Sequence, residues 1–135
     1  MLEDIEAIKR VQGQHLRAAD TKDLDLLRPT VTEDFFVDTG PSGRGATQGV
    51  ENFLKRVSTT PAIAVHHAFL PEIELTSPTT ATGIWAVHVF AKTPDGSEVN
   101  GYGHYHNAYQ KVDGSWRVRI LKLIWFHREV RPKQP

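Results

Sequence analysis

Residues 80–127, TATGIWAVHVFAKTPDGSEVNGYGHYHNAYQKVDGSWRVRILKLIWFH, decide the fold. Two turn signals divide this stretch, Pro94-Asp95-Gly96-Ser97 and Asp113-Gly114. The pieces between them, 80–92, 98–112 and 115–127, carry the β-branched and aromatic residues of strands, and short turns make them a meander. Just upstream, 63–75 is a further extended run that contains His66 and His67. Strands of about 12 residues are far longer than the usual ~5–6. Long strands in one sheet twist and coil, so one face becomes concave.

The first half has another period. Leu2, Ile5, Ile8, Val11, Leu16 and Ala19 recur near the helical repeat, and Asp20-Thr21 interrupts them. Thr21 is the expected N-cap of a short second helix carrying Leu24 and Leu27. Residues 28–34, with Pro29, read as a turn before the apolar run Phe35-Phe36-Val37. The glycine- and proline-rich Asp38–Gly45 is a loop. A third helix is expected from about Gln48, with Val50, Phe53, Leu54 and Val57, ended by Thr59-Thr60-Pro61. Helices first and a long meander after is an α+β pattern. The prediction is a curved antiparallel sheet packed against N-terminal helices, with a pocket on the concave side.

The 135 residues suit one domain. With 16 basic and 16 acidic side chains, the chain lacks the basic footprint of a nucleic-acid binder or of a protein held to an anionic membrane. No apolar run reaches the roughly 20 residues of a membrane span. The acidic N-terminus does not read as a signal peptide, so the cytoplasm is the expected compartment. The absence of cysteine excludes disulfides, thiolate nucleophiles and Cys-ligated zinc.

Two passages carry a family resemblance. One is Ile5-Glu6-Ala7-Ile8-Lys9-Arg10 through His15-Leu16-Arg17-Ala18-Ala19-Asp20-Thr21-Lys22-Asp23-Leu24-Asp25-Leu26-Leu27. The other is His66-His67, Pro71-Glu72-Ile73-Glu74-Leu75, Thr80-Ala81-Thr82-Gly83-Ile84-Trp85, Gly101 to Tyr109, and Val112-Asp113-Gly114-Ser115-Trp116-Arg117. Together they resemble SnoaL-like proteins of the nuclear transport factor 2-like superfamily. The resemblance implies a cone-shaped SnoaL-like domain over residues 1–128, with 129–135 a polar tail, and a homodimer or higher homo-oligomer. It is specific for fold and weak for reaction, because this fold hosts unrelated chemistries.

Within the family the chain resembles the bile acid 7α-dehydratase and scytalone dehydratase branches. There an Asp at the end of the first helix pairs with a His on the first long strand, and Asp20 and His66 fall on those positions. Other polar positions depart from the pattern. His15 stands where the bile acid enzymes have a catalytic Tyr. Val89 and Trp125 stand near their second Asp and their Arg, and Tyr105 near the substrate-holding Asn of scytalone dehydratases.

The pair has a chemical rationale. An imidazole suits proton transfer near neutral pH, and a carboxylate on its second nitrogen orients it. The structural alternatives are a helix-end Asp binding nearby backbone and a satisfied core His. The resemblance turns odd-numbered strand residues toward the pocket. Trp85, Val89, Tyr105, Asn107, Leu123 and Trp125, with His15 from the first helix, become candidate substrate-binding residues. The expected function is a cofactor-independent lyase (dehydratase) or isomerase acting on a small hydrophobic carbonyl- or hydroxyl-bearing ligand. The alternative is a non-catalytic binding or assembly module of the same fold.

No cofactor or metal is expected. His88, His104 and His106 share a strand parity that could build a three-imidazole zinc site. The same resemblance places them on the convex face, facing solvent or another subunit.

Overall fold

The computed structural model describes residues 1–135. Helix α1 (Leu2–Thr21) buries Ile8, Val11, Leu16 and Ala18 along one stripe, with Gln12 and His15 among them. It ends on Lys22 in the left-handed region, φ 55°, where the N–H groups of Lys22 and Asp23 close onto Ala19 and Ala18 carbonyls. Asp20 and Thr21 therefore belong to the last turn of α1. The cap of the short helix α2 (Leu24–Leu27) is Asp23 rather than Thr21: its carboxylate accepts from Leu26 N at 3.1 Å. The Thr21 hydroxyl is already turned back onto Arg17 O.

A single 3-10 turn, Arg28–Thr30, leads into β1 (Val31–Asp38), which starts well before the expected Phe35. There follow β2 (Ala46–Gln48), α3 (Val50–Thr59), β3 (Ile63–Ser77), β4 (Thr80–Lys92), β5 (Glu98–Val112) and β6 (Ser115–Arg131). The last strand continues past the expected end at 127.

The six strands form one sheet in the order β2-β1-β6-β5-β4-β3. The meander is antiparallel, as its turns require, but β1 runs parallel to β6. The sheet is thus mixed, which corrects the antiparallel expectation. Turn signals fix the direction only of strands joined in sequence. β1 and β6 are joined by everything between them, so no local signal speaks for that pair.

Irregularities between Tyr102/Gly103 and Ala108/Tyr109 in the β5–β6 ladder, and between Phe69/Glu72 in β3–β4, break the alternation and bend the strands. All three helices lie on the concave side. There Phe35, Phe53, Leu54, Val118 and Leu121 join the inner face of α1 in one core. Polar ties fix α1 against the sheet. Asp4 accepts from Trp116 Nε1 at 2.9 Å and from Lys111 Nζ at 3.2 Å. The Tyr109 hydroxyl donates to Gln12 Oε1 at 2.6 Å and accepts from Trp85 Nε1 at 2.9 Å. No helix is long and apolar enough to cross a membrane.

Candidate active site

Between the end of α1, α3 and the concave face lies a cavity of about 300 Å³. Its inner wall is Val89, Tyr105, Leu121, Leu123 and Trp125, with His15, Asp20 and His66 on the helix and β3 side.

Asp20 sits in the last turn of α1 and His66 on β3, opposite Val89 of β4. One Asp20 oxygen lies 2.6 Å from His66 Nδ1, and the other accepts the backbone N–H of His66 at 3.1 Å. The carboxylate grips ring and main chain of the same residue. It only accepts, so Nδ1 is the ring nitrogen that carries the hydrogen toward it. Both side chains are mostly buried, at 27% and 20% exposure, yet both line the cavity, so a ligand there reaches them without bulk water between.

His15 is held more rigidly. Its ring stacks on Phe53 at 5.6 Å and meets Phe35 edge-on. Its Nδ1 lies 3.2 Å from the Thr30 hydroxyl, whose single proton goes to Leu27 O at 2.6 Å. Thr30 can therefore only accept from the ring, and His15 too is protonated on Nδ1. Burial, reinforced by the nearby His66, lowers its pKa to about 3. His15 is neutral in the working range, and its Nε2 offers a hydrogen-bond acceptor and no proton. Burial, together with the charge of Asp20, pushes Tyr105 far above its usual range, so its phenol stays an O–H donor.

Of the expected binding residues, His15, Val89, Tyr105, Leu123 and Trp125 line the cavity. Trp85 and Asn107 do not. They share the concave parity but lie deeper, in the polar cluster with Gln12 and Tyr109, where Asn107 Nδ2 donates to Gln12 Oε1 at 2.9 Å. Burial pushes the Tyr109 hydroxyl up to about 12, so it remains a donor within that cluster. Parity selects a face of the sheet, and only the packing of α1 decides which part of that face stays open. His88, His104 and His106 stand on the convex face, and no group of three His, Asp or Glu side chains is arranged to hold a metal.

Four cationic lining residues were invisible in the sequence: Lys22, Arg44, Arg56 and Arg128. Arg128 is the instructive one. Strict alternation after Trp125 would turn His127 inward and Arg128 outward. An extra residue at Phe126 pairs His127 with Tyr102 and Arg128 with Gly101, so the two exchange faces. Trp125 and Arg128 thus both reach the cavity although three residues apart.

The model of the SnoaL-like domain matches residues 1–122. The chain belongs to the SnoaL-like domain family. This SnoaL-like domain is 27% identical over 143 aligned positions to "Probable cyclase FGR4" of Gibberella zeae, covering 87% of the chain and 90% of that protein. Among solved structures it resembles a protein of Novosphingobium aromaticivorans assigned as a scytalone dehydratase. There the TM-score is 0.83 and identity 22%, over 95% of this chain and 87% of that one. It also resembles a type 2 hexachlorocyclohexane dehydrochlorinase, with TM-score 0.87 and 19% identity, over 97% and 90% of the two chains. At such identities the structural likeness speaks for the fold, an α+β nuclear transport factor 2-like domain.

Proposed function

We propose that this SnoaL-like domain is a cofactor-independent lyase or isomerase acting on a small hydrophobic compound that bears a carbonyl or hydroxyl group. The observation that carries the reading is the double grip of Asp20 on His66 at the wall of an apolar cavity. It sets the tautomer and aims Nε2 as general base at a carbon-bound proton. Asp20 is the orienting partner and stabilises the imidazolium formed. The Tyr105 phenol donates to the carbonyl oxygen on which charge develops. His15, held neutral, accepts from a substrate hydroxyl and positions it. The imidazolium of His66 then returns its proton, either to a departing hydroxyl, which leaves as water, or to another carbon.

The test is exchange of the α-protons of 2-tetralone in D2O, followed by NMR. The wild type should accelerate exchange, His66→Ala should abolish the acceleration, and Asp20→Asn should lower it by on the order of 10⁴-fold through the wrong tautomer. Unchanged rates in both folded variants would remove the dyad.

We also propose that the chain self-associates through the convex face of the sheet. No helix covers that face, which exposes Phe69, Tyr102, Ile124 and Phe126. Its cross-strand rows are self-complementary. A two-fold axis along the strands lays β3 over β6 and β4 over β5. It sets Glu72 against the partner's Lys122, Lys92 against the partner's Glu98 and Phe69 against the partner's Ile124.

A further inference from the structure

The cavity is apolar at its floor and cationic at its rim. Tyr105, Leu121 and Leu123 are buried at the floor, whereas Lys22, Arg44 and Arg128 are exposed at the mouth, with half-buried Arg56 between. Asp20 is the single carboxylate among the lining residues, and both its oxygens are taken by His66.

None of the four cations is in an ion pair, although Arg28, Arg119 and Arg131 elsewhere each have a carboxylate partner. Their hydrogen bonds go to uncharged oxygens. Lys22 donates to Thr60 O, and Arg44 to Thr60 Oγ1. Arg56 donates to Gly45 O, Thr47 Oγ1 and Thr39 Oγ1 at 3.1–3.2 Å. Burial first, and then repulsion from Arg44, lower the Arg56 pKa, with Asp38 offsetting part of this. A chain with no net charge has thus gathered unpaired positive charge at one opening. Holding a half-buried guanidinium without a carboxylate is costly unless an anion arrives.

We infer that the ligand of this cavity is an amphipathic organic anion: an apolar, ring-sized body on the floor and an anionic group, such as a carboxylate, held at the rim by Arg56, Arg44 and Arg128. The inference rests on the reading of the cavity as the substrate site and adds the substrate's charge and orientation. The anion at the rim directs the far end of the body toward His66 and Tyr105. At about 300 Å³ the cavity suits one or two fused rings, the small end of ligand pockets.

The test compares 2-naphthoate with its neutral isostere 2-naphthamide by isothermal titration calorimetry in 20 mM and 500 mM NaCl. At low salt the acid should bind about tenfold more tightly than the amide, and the preference should shrink at high salt, where exposed charges are screened. Arg128→Gln, an exposed strand position that leaves the fold alone, should reduce the preference severalfold. The double variant Arg56→Gln/Arg128→Gln should bring the two ligands to nearly equal affinity. Equal affinity in the wild type, a preference for the amide, or binding of neither overturns the inference. His66→Gln separates this from the dyad reading: it should keep the acid preference while losing 2-tetralone exchange. Wild-type exchange without acid preference removes the anion and leaves the dyad. Acid preference without exchange does the reverse.

Discussion

His15 is the residue whose electrostatics reach beyond the cavity. Its folded pKa, near 3, lies below the ordinary value of about 6.5, so the unfolded chain binds a proton that the folded one refuses. The stability this burial leaves intact is complete above about pH 6.5 and is lost as pH falls toward 3, at about 1.4 kcal/mol per pH unit. Urea midpoints of the wild type should therefore drop steeply between pH 6 and 4. His15→Leu should show a shallower slope in that interval, and an identical slope would remove the assignment. The candidacy of His15 as a cavity residue came from the family resemblance. Its fixed tautomer did not, because that depends on Thr30 and Leu27 across the chain.

At the scale of elements, α1 is latched to the sheet by Asp4. The hydrogen bond from Trp116 first, then that from Lys111, lowers the Asp4 pKa. A depressed carboxylate stabilises above its unfolded value, and that contribution disappears as pH falls through the folded one. Asp4→Asn should lower Tm at pH 7 and make a smaller difference at pH 3, as read by circular dichroism. The β5–β6 pair holds a second device. Gly101 faces Trp125, and a Cβ there would come within 2.1 Å of the indole Cζ3. Gly101→Ala should cost about 1–3 kcal/mol by overpacking and should weaken 2-naphthoate binding, because Trp125 must leave the cavity wall. The periods of both halves announced α1, α3 and the four meander strands, whereas the early start of β1 and the short β2 were not announced. The parallel β1–β6 pair and the register shift at Phe126 had no local signature, since each is set by hydrogen bonds between segments far apart in the chain.

For the whole molecule, the uncovered face gathers His67, His88, His104, His106 and His127 around its exposed aromatics, with His88 stacked on Tyr102 at 4.8 Å. Pressing two copies together on this face would bury Phe69, Tyr102, Ile124 and Phe126, which a lone copy exposes. Sedimentation velocity should show a dimer for the wild type, and Phe126→Glu, which puts a charge on the exposed aromatic patch, should give a monomer. A dimer that Phe126→Glu leaves intact would place the contact elsewhere.

The sequence alone determined the α+β class, the long-stranded meander, the concave side of the sheet and the candidacy of Asp20 and His66. The first two follow from periodicity and turn chemistry; the inward parity of the strands and the candidacy of Asp20 and His66 follow from the family resemblance. Tertiary structure decided the rest. It closed the contact between a helix end and a strand 46 positions later, sealed Trp85 and Asn107 beneath α1, and collected Lys22, Arg44, Arg56 and Arg128 from four separate segments at one mouth. Residues from separate segments leave no pattern along a chain. Whether such side chains share a cavity depends on how far each strand's register has shifted and how the helices lie across the sheet.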